Sequence, residues 1–254
     1  MDQKDIVHIT AVTQVRPDGE KCTQAVIEYK EKIEPSMLEP DSFEVKDRTI
    51  IGIGSENNKV TLHLDEKDKE APTLCPGMPW KGSYASLKDA KVLVRQKKEI
   101  RTQDGRILEK TDDWIESDQT CNKEEELFIQ MAYQKQSYNL YIPKDYDPKK
   151  KYPLVQFIHD AGACGKDTRL ALAQGRGALV WASPEVQKEH PCFVFAPQFD
   201  GPPIVDDDWN VDERLEDAKA ALDNILDLYS IDRKRIYTTG QSMGCMASIV
   251  LNIR

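Results

Sequence analysis

Residues 235–253 read RIYTTGQSMGCMASIVLNI, and this stretch decides the fold. Arg235–Thr238 is a short run of the kind that forms a strand buried on both faces, and Cys245–Ile253 continues as a helix. Between them Gly240-Gln241-Ser242-Met243-Gly244 has the form G-x-S-x-G. A bare match to that pattern is common, but between a strand and a helix it is specific, because the chemistry needs that context. Small residues at 240 and 244 leave room for a turn tight enough to lift the Ser242 hydroxyl above the carboxyl edge of a sheet. Ligands of open α/β sheets bind at that edge. The start of the helix then presents free N–H groups to developing negative charge. The plainer alternative is a glycine-flanked serine capping an ordinary helix.

Working back along the chain, Cys192–Ala196 and Leu154–Ile158 carry the same apolar mark. Before the 235–238 strand lies a helix with Asn210 as its expected cap and Glu213 at capping-box spacing. Leu215, Ala218, Leu222, Ile225 and Tyr229 follow at steps of three and four. Buried strand, helix, buried strand describes a parallel sheet with crossover helices. Leu127–Tyr133 and Tyr138–Ile142 read as a hairpin in front of it. Directly after Leu154–Ile158 comes His159-Asp160-Ala161-Gly162, a loop of small residues that can aim a backbone N–H at an acyl oxygen. Ala161 is the first choice of donor and Gly162 the next. With the N–H of Met243 it would form an oxyanion hole, in which each donor is typically worth about 3–4 kcal/mol. His159, at the base of the loop, is expected to orient backbone rather than act as a base.

Residues 6–110 have a different character. Ile6–Val12, Cys22–Tyr29, Phe43–Ile53, Lys59–Leu64 and Lys91–Arg95 are β-branched or alternating runs, separated by turns such as Pro17-Asp18-Gly19. Gln103-Asp104-Gly105 joins two more in a hairpin. The polar stretch TDDWIESDQTCNKEE, residues 111–125, reads as a connector. Two domains follow from this division: an all-β sandwich over residues 1–124, and an α/β domain over residues 125–254. No internal repeat is present.

Composition excludes several function classes. The chain has 254 residues, 31% of them charged, and a formal net charge of -9. That balance opposes binding to a phosphate backbone or an anionic membrane. No apolar run reaches the roughly 18 residues needed to span a bilayer. The opening MDQKDIVHIT shows no apolar leader core. The six cysteines form no CxxC pair, and are expected to be free, mostly buried thiols. A reducing, cytoplasmic setting is therefore expected, with secretion the alternative if a leader has been removed. Asp206-Asp207-Asp208 is read as a solvated loop rather than a calcium site. No metal or organic cofactor is implied, and neither nucleic acid nor membrane is an expected partner.

Taken together, YNLYIPKDYDPKKKYPLVQFIHDAG (138–162), GRGALVWASPEVQKEHPCFVFAPQ (175–198) and IYTTGQSMG (236–244) resemble the α/β-hydrolase superfamily. More narrowly, they resemble esterases of the feruloyl-esterase and polyhydroxybutyrate-depolymerase-like group that carry an N-terminal immunoglobulin-like domain. The fold so implied is an immunoglobulin-like sandwich followed by the N-terminal part of an α/β-hydrolase sheet. The activity implied is that of a serine carboxylic-ester hydrolase. It would act on small acyl or aryl esters, hydroxycinnamoyl esters included, through an acyl-enzyme on Ser242. Gln198, at the carboxyl end of its strand, and Trp209, in a loop the family places near the active site, are candidate substrate contacts.

The chain departs from the family pattern at Asp160 and Cys245, where glycine is usual. The triad order places an acid and then a histidine after the serine. None of His8, His63, His159 and His190 follows Ser242. A companion C-terminal polypeptide carrying Asp and His is therefore expected, with a nick after Arg254 as its source, and the isolated chain is expected to be nearly inactive. The alternatives are a serine peptidase of the prolyl-oligopeptidase type and a non-catalytic binding protein or inactive fragment.

Overall fold

The computed structural model describes residues 5–253, so the leader reading at residues 1–4 and the nick expected after Arg254 lie outside the described residues. Contacts divide the chain into two compact units. The first takes in the chain up to Gln14, Glu20–Thr73 and Asp89–Asn122. The second takes in Val15–Gly19, Leu74–Lys88 and the chain from Lys123 onward.

In the β-rich part, strand follows strand as the alternation requires. The strands are β1 (Ile6–Arg16), β2 (Gly19–Tyr29), β3 (Phe43–Val45), β4 (Ile50–Glu56) and β5 (Lys59–Leu64). The pair β6 (Leu74–Cys75) and β7 (Ser86–Leu87) comes next, then β8 (Leu93–Gln96), β9 (Ile100–Arg101) and β10 (Ile107–Leu108). Finally come β11 (Ile115–Glu116) and β12 (Gln119–Cys121). A five-stranded sheet in the order β12-β1-β2-β5-β4 and a three-stranded sheet in the order β11-β8-β3 share one core. Ile9, Ala11, Ile27 and Leu62 reach it from the first sheet, and Phe43, Val94 and Ile115 from the second. Among the described residues of this unit one carboxylate is buried. Glu20 accepts hydrogen bonds from Thr73 Oγ1 (2.6 Å), Asn122 Nδ2 (2.7 Å) and Thr13 Oγ1 (3.2 Å).

Two expectations need correction here. Phe43–Ile53 is not one strand, because the chain turns at Asp47, whose φ is 57°, a conformation an aspartate tolerates. The stretch 111–125 is not a bare connector either. β11 pairs antiparallel with β8 and β12 pairs parallel with β1, each at a sheet margin, where solvent accounts for the polar composition.

In the second unit the sheet is mixed, in the order β13 (Ile129–Tyr133), β14 (Gln136–Tyr141), β16 (Phe193–Gln198), β15 (Tyr152–Ile158), β17 (Ile231–Gly240). The first two pairings are antiparallel and the last two parallel. Around it lie α1 (Leu170–Ala173), α2 (Leu179–Ala182), α3 (Pro184–Glu189), α4 (Arg214–Leu228) and α5 (Met243–Ile253). β15 and β16 are covered on both faces. Val155, Phe157 and Val194 pack with Leu172 and Leu179, while Leu154, Phe193 and Phe195 pack with Leu222 and Ile225 of α4. That double cover is why both strands read as continuous apolar runs.

β17 departs from that reading. Arg235 and Tyr237 are exposed, Tyr237 by 56%, while Ile236 packs toward the α4 side. Nor does Asn210 cap α4. Its backbone and side-chain N–H groups are spent on the Asp206 carboxylate at 2.9 Å each, and the helix begins at Arg214. Asp212 serves the helix start instead, accepting the Arg214 N–H at 3.0 Å. No helix among the described residues is long and apolar enough to cross a membrane.

Candidate active site

β15 and β17 run parallel with Ile158 opposite Gly240, so the loop after one and the turn after the other leave the sheet side by side. At the turn, Ser242 has a φ of 50° and is exposed. Holding a non-glycine residue in this region costs about 1–3 kcal/mol, which the surroundings must enforce. The two glycines do so. A Cβ on Gly240 would lie 2.3 Å from the Gly244 carbonyl carbon, and one on Gly244 would lie 1.9 Å from the Ile158 carbonyl oxygen. The Gln241 N–H donates to Ile158 O at 3.2 Å and so pins the start of the turn to β15. Ser242 Oγ has no hydrogen-bond partner among the described residues.

Met243 opens α5. Its side chain is buried with Ile158, Phe199 and Ile204, and its Sδ accepts the Ile204 N–H at 3.3 Å. Across from it Ala161 opens the single turn Ala161–Ala163 at the carboxyl end of β15. The N–H groups of Met243 and Ala161 have no hydrogen-bond partner among the described residues.

Asp160 braces this loop. One carboxylate oxygen accepts the Ala163 N–H (2.9 Å), and the other accepts the Gln241 side-chain N–H (3.1 Å). Its own N–H donates to Gln174 Oε1 at 3.1 Å. The carboxylate therefore ties the loop to the serine turn, and burial holds its pKa above the usual carboxylate range. Gly162 is tied into the fold through its carbonyl, which accepts the Gly77 N–H at 2.7 Å.

His159 is fully buried. Its Nδ1 lies 2.7 Å from Asp160 O, and its Nε2 accepts the Phe199 N–H at 3.0 Å. These partners assign the proton to Nδ1, and burial pushes the pKa down to about 4. With both nitrogens bound to backbone, His159 orients the loop and is not available as a base. His8 pairs with Asp118, His63 lies on β5, and His190 ends α3.

Gln198 was expected to touch substrate. Its buried amide instead donates to Ala163 O (2.9 Å), Gly165 O (3.0 Å) and Phe199 O (3.2 Å). A buried amide must find acceptors, and here the loop carbonyls supply them, so Gln198 positions the loop from beneath. Trp209 is half exposed, with a φ of 63°. Its loop is closed by the Val205–Val211 bridge, and both valines pack in the same cluster as Met243. Half exposure sets aside a purely core role for the indole.

The sequence reading missed one contributor. Residues Leu74–Lys88, between strands of the β-rich half, pack within the second unit. The Gly77 N–H donates to Gly162 O, and the Ala85 N–H donates to Cys164 O at 2.8 Å. The turn residues Pro76-Gly77 and Gly82 mark a loop there, but no local pattern says which surface a loop will meet. No cluster of three or more His, Cys, Asp or Glu among the described residues is placed to hold a metal ion. All six cysteines are free; Cys22, Cys164 and Cys192 are buried, while Cys245 is exposed.

The model of the esterase Ig-like N-terminal domain matches residues 8–109. The crystal structure of a thermostable esterase matches with a TM-score of 0.86 and 31% identity, covering 94% of this chain and 72% of that one. Remote likenesses, each with a TM-score of 0.36, include two feruloyl esterases. One is the module from Clostridium thermocellum complexed with sinapinate, at 18% identity over 46% of this chain and 45% of that one. The other is a ferulic acid esterase from the anaerobic fungus Anaeromyces mucronatus, at 20% identity over 49% and 53%. No curated protein matches. A β-sandwich joined to a mixed sheet with this likeness defines an esterase-type hydrolase. The chain belongs to the family of esterases that carry an immunoglobulin-like N-terminal domain.

Proposed function

We propose that the chain supplies the nucleophile and oxyanion donors of a serine carboxylic-ester hydrolase of the α/β-hydrolase type. The observation that carries this reading is Ser242, exposed at a φ of 50° between two glycines that have no room for a Cβ. A serine gains nothing structural from that conformation, whereas a nucleophile gains access and a helix start behind it.

Ser242 Oγ attacks the ester carbonyl, and the N–H groups of Met243 and Ala161 stabilise the oxyanion that forms. Collapse of the tetrahedral species expels the alcohol and leaves an acyl group on Ser242, which water then hydrolyses. His159 is committed to backbone, so the proposed base is a histidine supplied from outside this chain. Small acyl or aryl esters, hydroxycinnamoyl esters among them, are the proposed substrates. Reaction of the chain with a fluorophosphonate probe tests the reading. Labelling should map to Ser242 by peptide mass spectrometry and vanish in Ser242→Ala. A probe that labels neither Ser242 nor its peptide, even with the histidine-bearing remainder supplied, sinks it.

A further inference from the structure

Within the Leu74–Lys88 segment, three large apolar side chains stand exposed in a stretch of seven residues: Met78 by 46%, Trp80 by 65% and Tyr84 by 42%. Soluble proteins seldom leave such a cluster open without a use for it. The segment is also firmly held. Met78 and Ser83 bridge each other, with the Met78 N–H donating to Ser83 O at 2.7 Å, so Trp80 rides on a short turn, Pro79–Lys81, closed by Gly82 at a φ of 73°. Its two ends are fixed to one neighbour. Gly77, next to Met78, bonds Gly162, and Ala85, next to Tyr84, bonds Cys164. There is no slack in this attachment, since a Cβ on Gly165 would lie 2.5 Å from Ala85 O. Met78 and Tyr84 are therefore each one residue from a hydrogen bond to the loop that carries the Ala161 N–H.

We infer that the turn bearing Met78, Trp80 and Tyr84 is the subsite for the aryl or bulky apolar group of the ester, set beside the oxyanion donors by its backbone bonds to the 162–164 loop. The inference rests on the esterase reading of the Ser242 site. Flat aromatic and thioether side chains on a clamped turn give an apolar face at little cost in ordering, and they favour a planar ring over a flexible short chain.

The test uses the full chain with Ser242→Ala, so that binding is read without chemistry, and titration calorimetry with 2-naphthoate and with hexanoate. The expected result is naphthoate bound about tenfold more tightly than hexanoate. Trp80→Ala should remove most of that preference while changing hexanoate affinity less than twofold, and Trp80→Phe should keep it. Trp80 is mostly exposed, so these variants should fold. Equal affinity for the two acids in the parent, or a Trp80→Ala variant with both affinities unchanged or both equally reduced, overturns the inference. Failure of the esterase reading shows separately, as absence of fluorophosphonate labelling of unsubstituted Ser242 even with the histidine-bearing remainder supplied.

Discussion

His159 shows what a single buried side chain demands of the solvent. With its pKa at about 4 against an ordinary 6.5, the folded chain binds fewer protons than the unfolded chain between those values. Its contribution to stability is whole above pH 6.5 and is lost as pH falls toward 4. At about 1.4 kcal/mol for each tenfold step in proton affinity, the loss comes to about 3 kcal/mol. Urea titrations at a series of pH values should show that decline, and His159→Gln should flatten it. Gly244 makes an opposite kind of demand, for space. The nearest atom to an added Cβ is backbone, which cannot turn aside, so Gly244→Ala should cost about 3 kcal/mol or more in thermal unfolding and abolish labelling of Ser242. Asp160, at a position where glycine is expected, is accommodated because its carboxylate serves both the loop and Gln241.

At the level of elements, what holds the oxyanion loop is mostly side-chain amide and backbone. Gln198→Ala would strip three loop carbonyls of their shared donor. We expect a loss of about 2–3 kcal/mol, with faster hydrogen exchange confined to residues 160–165 and slower labelling of Ser242. The same scale explains which parts of the fold were legible in the sequence. β15, β16 and α4 are packed by their own apolar residues, so their periodicity betrays them. The serine turn is legible too, because a tight turn needs small residues at fixed offsets. β11 and β12 are not, since marginal strands face water and their pairing partners are far away in sequence. The roles of Gln198 and the 74–88 turn are hidden for a similar reason. A glutamine does not announce which carbonyls it will meet, and Gly77 meets Gly162 across a sequence gap that no local rule spans. Asn210 was misleading because its N–H groups hold the Asp206 carboxylate and the helix starts only four residues later, at Arg214.

For the molecule as a whole, the division into two units with separate cores has a thermodynamic consequence. A change in one core need not be felt as a single cooperative loss. Glu20 offers the test. It is buried, and its three donors are all neutral, so Glu20→Ala removes the acceptor that Thr13, Thr73 and Asn122 share. A destabilisation of about 2–4 kcal/mol should appear in the first unit, read as a lower midpoint for its own amide exchange. The exchange of β15 and β16 should change less than that of β1 and β2.

The pairing of Ile158 with Gly240 makes the sheet a ruler for the chemistry above it. Ala161 stands three residues beyond one mark and Met243 three beyond the other, so the spacing of the two donors is set by the hydrogen-bonded ladder before either loop takes shape. Adding or deleting one residue within β15 or β17 would slide one donor past the other by about 3.3 Å, the length of a hydrogen bond. Variation in chain length should therefore collect between residues 163 and 193 or between 199 and 213, where no mark on the ruler moves.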